Sequence, residues 1–209
     1  MNLPHKASRL GCCARRIRLV GIVAALALSA AAVNARKAVV PTSDTTTTLT
    51  ATGTLEVAFS PNEGSEHLVV KVIDSAQKEL RVLAYSFTSA TVTEAFLRAR
   101  HRGVDIKLVA DAKENSSQDR SGKAQAALSA LAIAGVDVRT ISVYPIHHDK
   151  VIIADRVTVE LGSFNFSSAA ALKNSENVLV NWRNASLAKI YLEHFARNYA
   201  QSKPFKPAY

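Results

Sequence analysis

Residues 148–165 read HDKVIIADRVTVELGSFN: His148-x-Lys150, then Asp155 after four residues, then Gly162-Ser163-x-Asn165 after six more. Between these positions the chain is apolar and rich in β-branched residues, with Asp155-Arg156 as the break, so it reads as two strands joined by a turn. Alternate residues of a strand share a face, which puts His148 with Lys150 and Ser163 with Asn165. Pairing about Asp155-Arg156 sets His148 opposite Ser163, with Asn165 one diagonal away. A slip of one residue would turn one of the two sets to the other face.

Outward from this pair the chain alternates strand and helix. Residues 54–61 alternate and end in Pro61, residues 63–79 carry apolar side chains at helical spacing, and residues 80–87 read as a buried strand. A helix over 91–102 stops at Gly103, a strand follows over 104–112, and a polar loop covers 113–123. A helix over 124–134 ends at Gly135 and leads to a strand over 136–144. Beyond the central pair, 167–174 reads as a short helical piece and 176–182 as a strand. Asn184 caps a last amphipathic helix over 185–201. This rhythm predicts an α/β domain over 54–203 with a mixed, largely parallel sheet flanked by helices on both faces, and a tail over 204–209.

The chain has 209 residues, a net charge of +9, 48% hydrophobic and 21% charged residues, which suits a globular core. Five of the positive charges, Lys6, Arg9, Arg15, Arg16 and Arg18, precede an apolar run over 19–33 that closes on Val33-Asn34-Ala35. A basic segment, an apolar segment shorter than a membrane span and small residues at the −3 and −1 positions predict a signal peptide over 1–35, cleaved after Ala35. The protein is then periplasmic or secreted. Removing 35 of 209 residues leaves 174, and removing five positive charges from +9 leaves +4. Both cysteines, Cys12 and Cys13, fall in the leader, so the mature chain would have no thiol chemistry and no disulfide. The Thr-rich stretch over 36–53 reads as a flexible linker.

An imidazole, an ammonium, a hydroxyl and an amide in one patch suit a phosphodiester. The cation and hydrogen-bond donors take the non-bridging oxygens, and the imidazole attacks or moves a proton. Taken singly each residue is ordinary on a strand; the joint spacing is what points to chemistry. His67, His101 and His194 read as structural, and His147, on the face opposite to His148, reads as a packing residue. No HExxH and no cluster of Asp, Glu and His at ligand spacing appears, so neither a metal nor another cofactor is predicted.

His148, Lys150, Asp155, Gly162, Ser163 and Asn165 match the HxKxxxxDxxxxxxGSxN pattern of the phospholipase D superfamily without a departure. Most of residues 54–202 resembles the small bacterial single-motif endonucleases of that superfamily. The resemblance implies that His148 attacks phosphorus to give a phosphohistidine while a second histidine protonates the leaving oxygen. It implies that Lys150, Ser163 and Asn165 hold the phosphate oxygens and that Glu176 orients the His148 imidazole. Asp155 and Gly162 are then structural. Such a scheme needs two motifs and this chain has one, so the site is expected to be completed across the twofold axis of a homodimer.

Nucleic acid is the expected substrate, because a basic chain favours phosphate backbones. Lys113, Arg120 and Lys123, with Arg98, Arg100 and Arg102, are the candidate backbone track. A phospholipid is the alternative substrate, and a nucleic-acid-binding protein with a degenerate site is the alternative from another class.

Overall fold

The computed structural model describes residues 46–207. The predicted leader over 1–35 and most of the linker over 36–53 lie outside them. Within them the elements run β1 (Thr54–Ser60), α1 (Ser65–Ser75), β2 (Glu79–Ala84), α2 (Ala90–His101), β3 (Asp105–Asp111), α3 (Lys123–Ile133), β4 (Asp137–Ile141), β5 (Lys150–Ala154), β6 (Thr158–Gly162), α4 (Ser168–Leu172), β7 (Glu176–Trp182), α5 (Ala185–Gln201) and β8 (Lys203–Pro204). Among these residues no helix is long and apolar enough to cross a membrane.

All eight strands form one sheet in the order β1-β7-β6-β5-β2-β3-β4-β8. The mixed α/β class is as the sequence predicts, but the sheet is not largely parallel. Only β2–β3 and β3–β4 are parallel, and the other pairings are antiparallel. The reason is connection length. Residues 142–149 are too few for a parallel crossover, so β5 enters beside β2 in the opposite direction. A hairpin then lays β6 antiparallel to β5, and β7 returns antiparallel to β6 after the connection that holds α4.

Helices cover both faces unequally. Leu68, Val72, Phe96, Leu128 and Ala170 pack α1 to α4 onto one face, over Val82, Ile152 and Val180. On the other face, among the described residues, α5 alone sets Ala188 and Phe195 on Leu83, Val109, Ile153 and Val159. The Asn184 side chain accepts from the Leu187 N–H at 3.0 Å, the cap that the sequence predicts. At the C-terminus the fold runs past the expected boundary: Lys203 and Pro204 pair with β4, and Phe205 packs on the core. At the N-terminus the Thr52 carbonyl accepts from Asn181 and Asn184, so the chain is tied down just before β1.

Asp155 holds the far end of the sheet. Asp155 and Arg156 both take positive φ, 50° and 61°, and Val157 N–H donates to Ala154 O, as a tight hairpin turn requires. The Asp155 carboxylate accepts from the backbone N–H groups of Gln77, Lys78 and Glu79 at 2.8–3.0 Å. Burial alone would raise this carboxyl, but the three N–H donors hold it below its ordinary value. A depressed folded-state pKa contributes stability that is complete above the unfolded value, ~3.9, and is lost as pH falls through the folded one. Asp155→Ala is therefore expected to cost about 1–3 kcal/mol at pH 7, with a loss that shrinks as acid protonates the wild-type carboxylate. Urea unfolding of both proteins at pH 7 and pH 3 checks this.

Candidate active site

The carboxyl ends of β2, β3 and β4, the start of β5, the end of β6 and the start of β7 all lie at one end of the sheet. Open α/β sheets bind ligands in the crevice beyond such carboxyl ends. Here that crevice is an open cleft of about 680 Å³. His148, Lys150, Gly162, Ser163, Asn165 and Glu176 all line it, joined by Asp149 and Tyr191. Of the predicted site residues only Asp155 is elsewhere, in the turn at the opposite end of β5.

The route by which these residues meet differs from the expected one. The β5–β6 register pairs Val151 with Leu161 and Ala154 with Thr158, one residue away from a pairing of His148 with Ser163. His148 and Ser163 both lie beyond the ends of the paired strands. They reach the cleft on the segments just outside the β5–β6 ladder.

Lys150 is 5% exposed, and its Nζ donates to the His148 carbonyl at 2.9 Å. The ammonium lies 5.0 Å from the Tyr85 ring centroid, and the same ring meets the His148 imidazole edge-on at 4.7 Å. Tyr85 follows directly on β2, so the aromatic ring serves as a wall against which both motif side chains rest. Burial lowers the Lys150 pKa, opposed by the nearby Asp149, Glu176 and Glu114 carboxylates. Tyr85 titrates above its usual value, through burial and then through its hydrogen bond to Glu114. Sequence reading missed Tyr85; only its place at the end of a buried strand hinted at it.

Ser163 stands at the centre of the second half. Its hydroxyl donates to Glu176 Oε2 at 2.6 Å and accepts from the Asn177 N–H at 3.1 Å. Glu176 Oε1 accepts from Asn174 Nδ2 at 2.9 Å. Both Glu176 oxygens are thus taken by Ser163 and Asn174, and among the described residues no hydrogen bond joins Glu176 to His148. Asn165 lines the cleft, and among the described residues its buried Oδ1 has no hydrogen-bond partner. Gly162 has a steric reason: a Cβ there would come within 2.2 Å of the Asn177 carbonyl oxygen.

The candidate cations divide. Arg98 pairs with Asp74 at 2.9 Å, Arg100 donates to the Ala134 carbonyl, and Arg102 bonds the carbonyls that end α1. These three are occupied with helix packing and are withdrawn from the backbone track. Lys113, Arg120 and Lys123 are exposed on the loop after β3 and at the start of α3. Buried Asn115 roots that loop beside Tyr85, bonding Phe87 N and the Asp111 and Tyr85 carbonyls. Among the described residues no group of three or more His, Cys, Asp or Glu side chains is arranged to hold a metal ion.

Comparison with known proteins agrees with this geometry. Residues 69–199 match the family model described as cardiolipin synthase, PLD-like domain. A phospholipase D of Rickettsia felis is 34% identical over 148 residues, covering 71% of this chain and 70% of that protein. A mouse mitochondrial cardiolipin hydrolase is 26% identical over 148 residues, covering 69% of this chain and 62% of that protein. Among solved structures, Nuc of Salmonella typhimurium, a phospholipase D family member, superposes with a TM-score of 0.70 at 43% identity, covering 73% of this chain and 98% of that one.

Gly162→Ala forces the β6 and β7 backbones apart at Ser163, so it is expected to lower the thermal midpoint and to abolish turnover together. Thermal unfolding monitored beside a hydrolysis assay checks the pairing of the two losses; full activity in the alanine variant would refute the close-approach argument.

Proposed function

The chain belongs to the phospholipase D superfamily and is a phosphodiester hydrolase, and from that membership we propose that it cuts nucleic acid, DNA in the first place, without a metal ion and through a phosphohistidine intermediate. The observation that carries the proposal is the meeting of His148, Lys150, Ser163, Asn165 and Glu176 in one open, polar cleft. The His148 imidazole attacks phosphorus as the bond to the leaving oxygen breaks, and a second imidazole gives that oxygen its proton. Water, deprotonated by the second imidazole, then breaks the phosphorus–nitrogen bond and restores His148. Lys150 and Asn165 take the non-bridging oxygens. Ser163, fixed between Glu176 and Asn177, adds a third contact. The exposed Lys113, Arg120 and Lys123 support a nucleic-acid backbone as the extended ligand. The predicted leader supports action outside the cytoplasm.

The second imidazole comes from His148 of another copy. One motif is present in the chain, and an apolar strip runs from the cleft to the sheet edge on the α5 face. Val151, Leu161, Leu179 and Val57 are successive register partners across β5, β6, β7 and β1. Leu55, Val57 and Phe59 on β1 are 62%, 57% and 50% exposed. A strip of this kind, continuous with a half-complete site, fits a second copy of the chain.

A phospholipid is the second reading. It is supported by the names of the Rickettsia relatives.

Incubation of the mature protein with plasmid DNA and with phosphatidylcholine vesicles, both in EDTA, separates the readings. DNA cleavage in EDTA is expected, and His148→Ala is expected to lose turnover while it still binds DNA. Cleavage of vesicles alone would move the assignment to lipid, and loss of all activity on chelation would overturn the metal-free mechanism.

Val57→Asp is expected to shift the protein from dimer to monomer in light scattering and to lower activity in step. An active monomer would refute the composite site.

A further inference from the structure

His148 and Asp149 precede β5, so no strand ladder fixes the backbone that carries the nucleophile. Side chains fix it instead. The His147 N–H donates to buried Asp111 Oδ2 at 2.8 Å, and Lys150 Nζ caps the His148 carbonyl at 2.9 Å. The remaining tie comes from α5: His194 Nε2 lies 2.9 Å from Asp149 Oδ2.

The tautomer of His194 follows from its neighbours. Arg197 Nη2 sits on His194 Nδ1, and a guanidinium only donates, so Nδ1 accepts and Nε2 carries the hydrogen that goes to Asp149. Asn198 Nδ2, 3.3 Å from Nε2, is spent on the His194 carbonyl at 2.9 Å. His147, buried and stacked on Tyr144, brings its Nδ1 to 3.6 Å from the same Asp149 oxygen. Asp149 thus gathers two imidazoles that the sequence assigns to structure and packing.

We propose that Asp149 and His194 are a positioning pair that ties the 147–149 segment to α5 and so aims the His148 imidazole into the cleft. The pair rests on the reading of His148 as nucleophile. Helix α5 is suited to the task. Tyr191, His194, Phe195 and Asn198 lie at successive helical spacings on its inner face, where Phe195 is buried against the sheet. Asp149 lines the cleft, but its Oδ2 is engaged, which makes it a strut rather than a base. Burial would raise the Asp149 carboxyl, yet the hydrogen bond from His194 and the nearby Lys150 ammonium hold it below the usual range. The strut is therefore an anion at neutral pH, with the Lys150 ammonium beside it. Misplacement of a reacting group by ~1 Å costs on the order of 100-fold in rate, so a strut on the nucleophile's own neighbour has leverage over turnover.

The test uses bis(p-nitrophenyl) phosphate, a soluble diester that probes the chemistry without a choice between DNA and lipid. His194→Ala and Asp149→Ala are expected to lower kcat by about tenfold to a hundredfold with KM changed by less than about twofold. His194→Gln, whose amide N–H reaches where Nε2–H stood, is expected to recover most of the rate. Phe195→Leu, a core change on the same helix face, is expected to lower the thermal midpoint while kcat stays. An unchanged kcat in His194→Ala, or an equal fall in Phe195→Leu, would overturn the proposal. Nitrogen-15 NMR of the histidine rings gives a readout independent of activity, with the His148 signal assigned by its loss in His148→Ala. That signal is expected to shift in His194→Ala and to return in His194→Gln; an unmoved signal overturns the pair. A wild-type protein that leaves the diester intact would sink the assigned function alone, and the NMR comparison would still decide the positioning pair.

Discussion

The site depends on the register of β5 against β2, and that register is held from its far end by the Asp155 carboxylate. Three backbone N–H groups leading into β2 converge on this one side chain, and the Asp155 N–H returns a bond to the Glu79 carbonyl. With Leu80 thereby set against Ala154, the ladder runs down to Ala84 against Lys150. Tyr85 then follows Ala84 at the place where it meets both Lys150 and His148. An acid remote from the cleft therefore decides which aromatic residue walls it.

At the cleft itself, several acids gather round one buried ammonium. Lys150 is buried yet surrounded by Asp149, Glu176 and Glu114. Each acid is occupied in its own right, by His194, by Ser163 and Asn174, or by Tyr85. Every acid beside the Lys150 ammonium thus has a hydrogen-bond partner of its own. The contrast is Glu160, fully buried in the sheet between Ile152 and Val180 with neither oxygen hydrogen-bonded. Burial pushes that carboxyl well above its usual value.

Much of this was legible in the sequence because it is local. Asn184 marked the start of α5, Gly103 the end of α2, and the motif spacing the two strands around Asp155. What escaped is non-local or short. Strand direction was misjudged because strand–helix alternation holds only as far as β4, after which loop length governs. Strand β8, two residues with a proline, carries no period at all. Arg98, Arg100 and Arg102 looked like a track until Asp74 and the carbonyls across the α1–α2 and α2–α3 contacts claimed them. His194 sits 45 residues from Asp149, and nothing in a helical repeat distinguishes a histidine that packs from one that braces.

The first and last strands occupy opposite edges of the sheet. Seven strand spacings of ~4.8 Å separate them, so the entry and exit of the fold stand roughly 34 Å apart. Two such domains joined head to tail about the β1 edge that the proposed dimer uses would therefore require a tether of at least about ten extended residues to span that width. Lengthening the tether adds little further closure entropy, since each doubling costs only about 0.6 kcal/mol. A covalent double of this fold is thus limited by reach at the outset and scarcely at all by length afterwards.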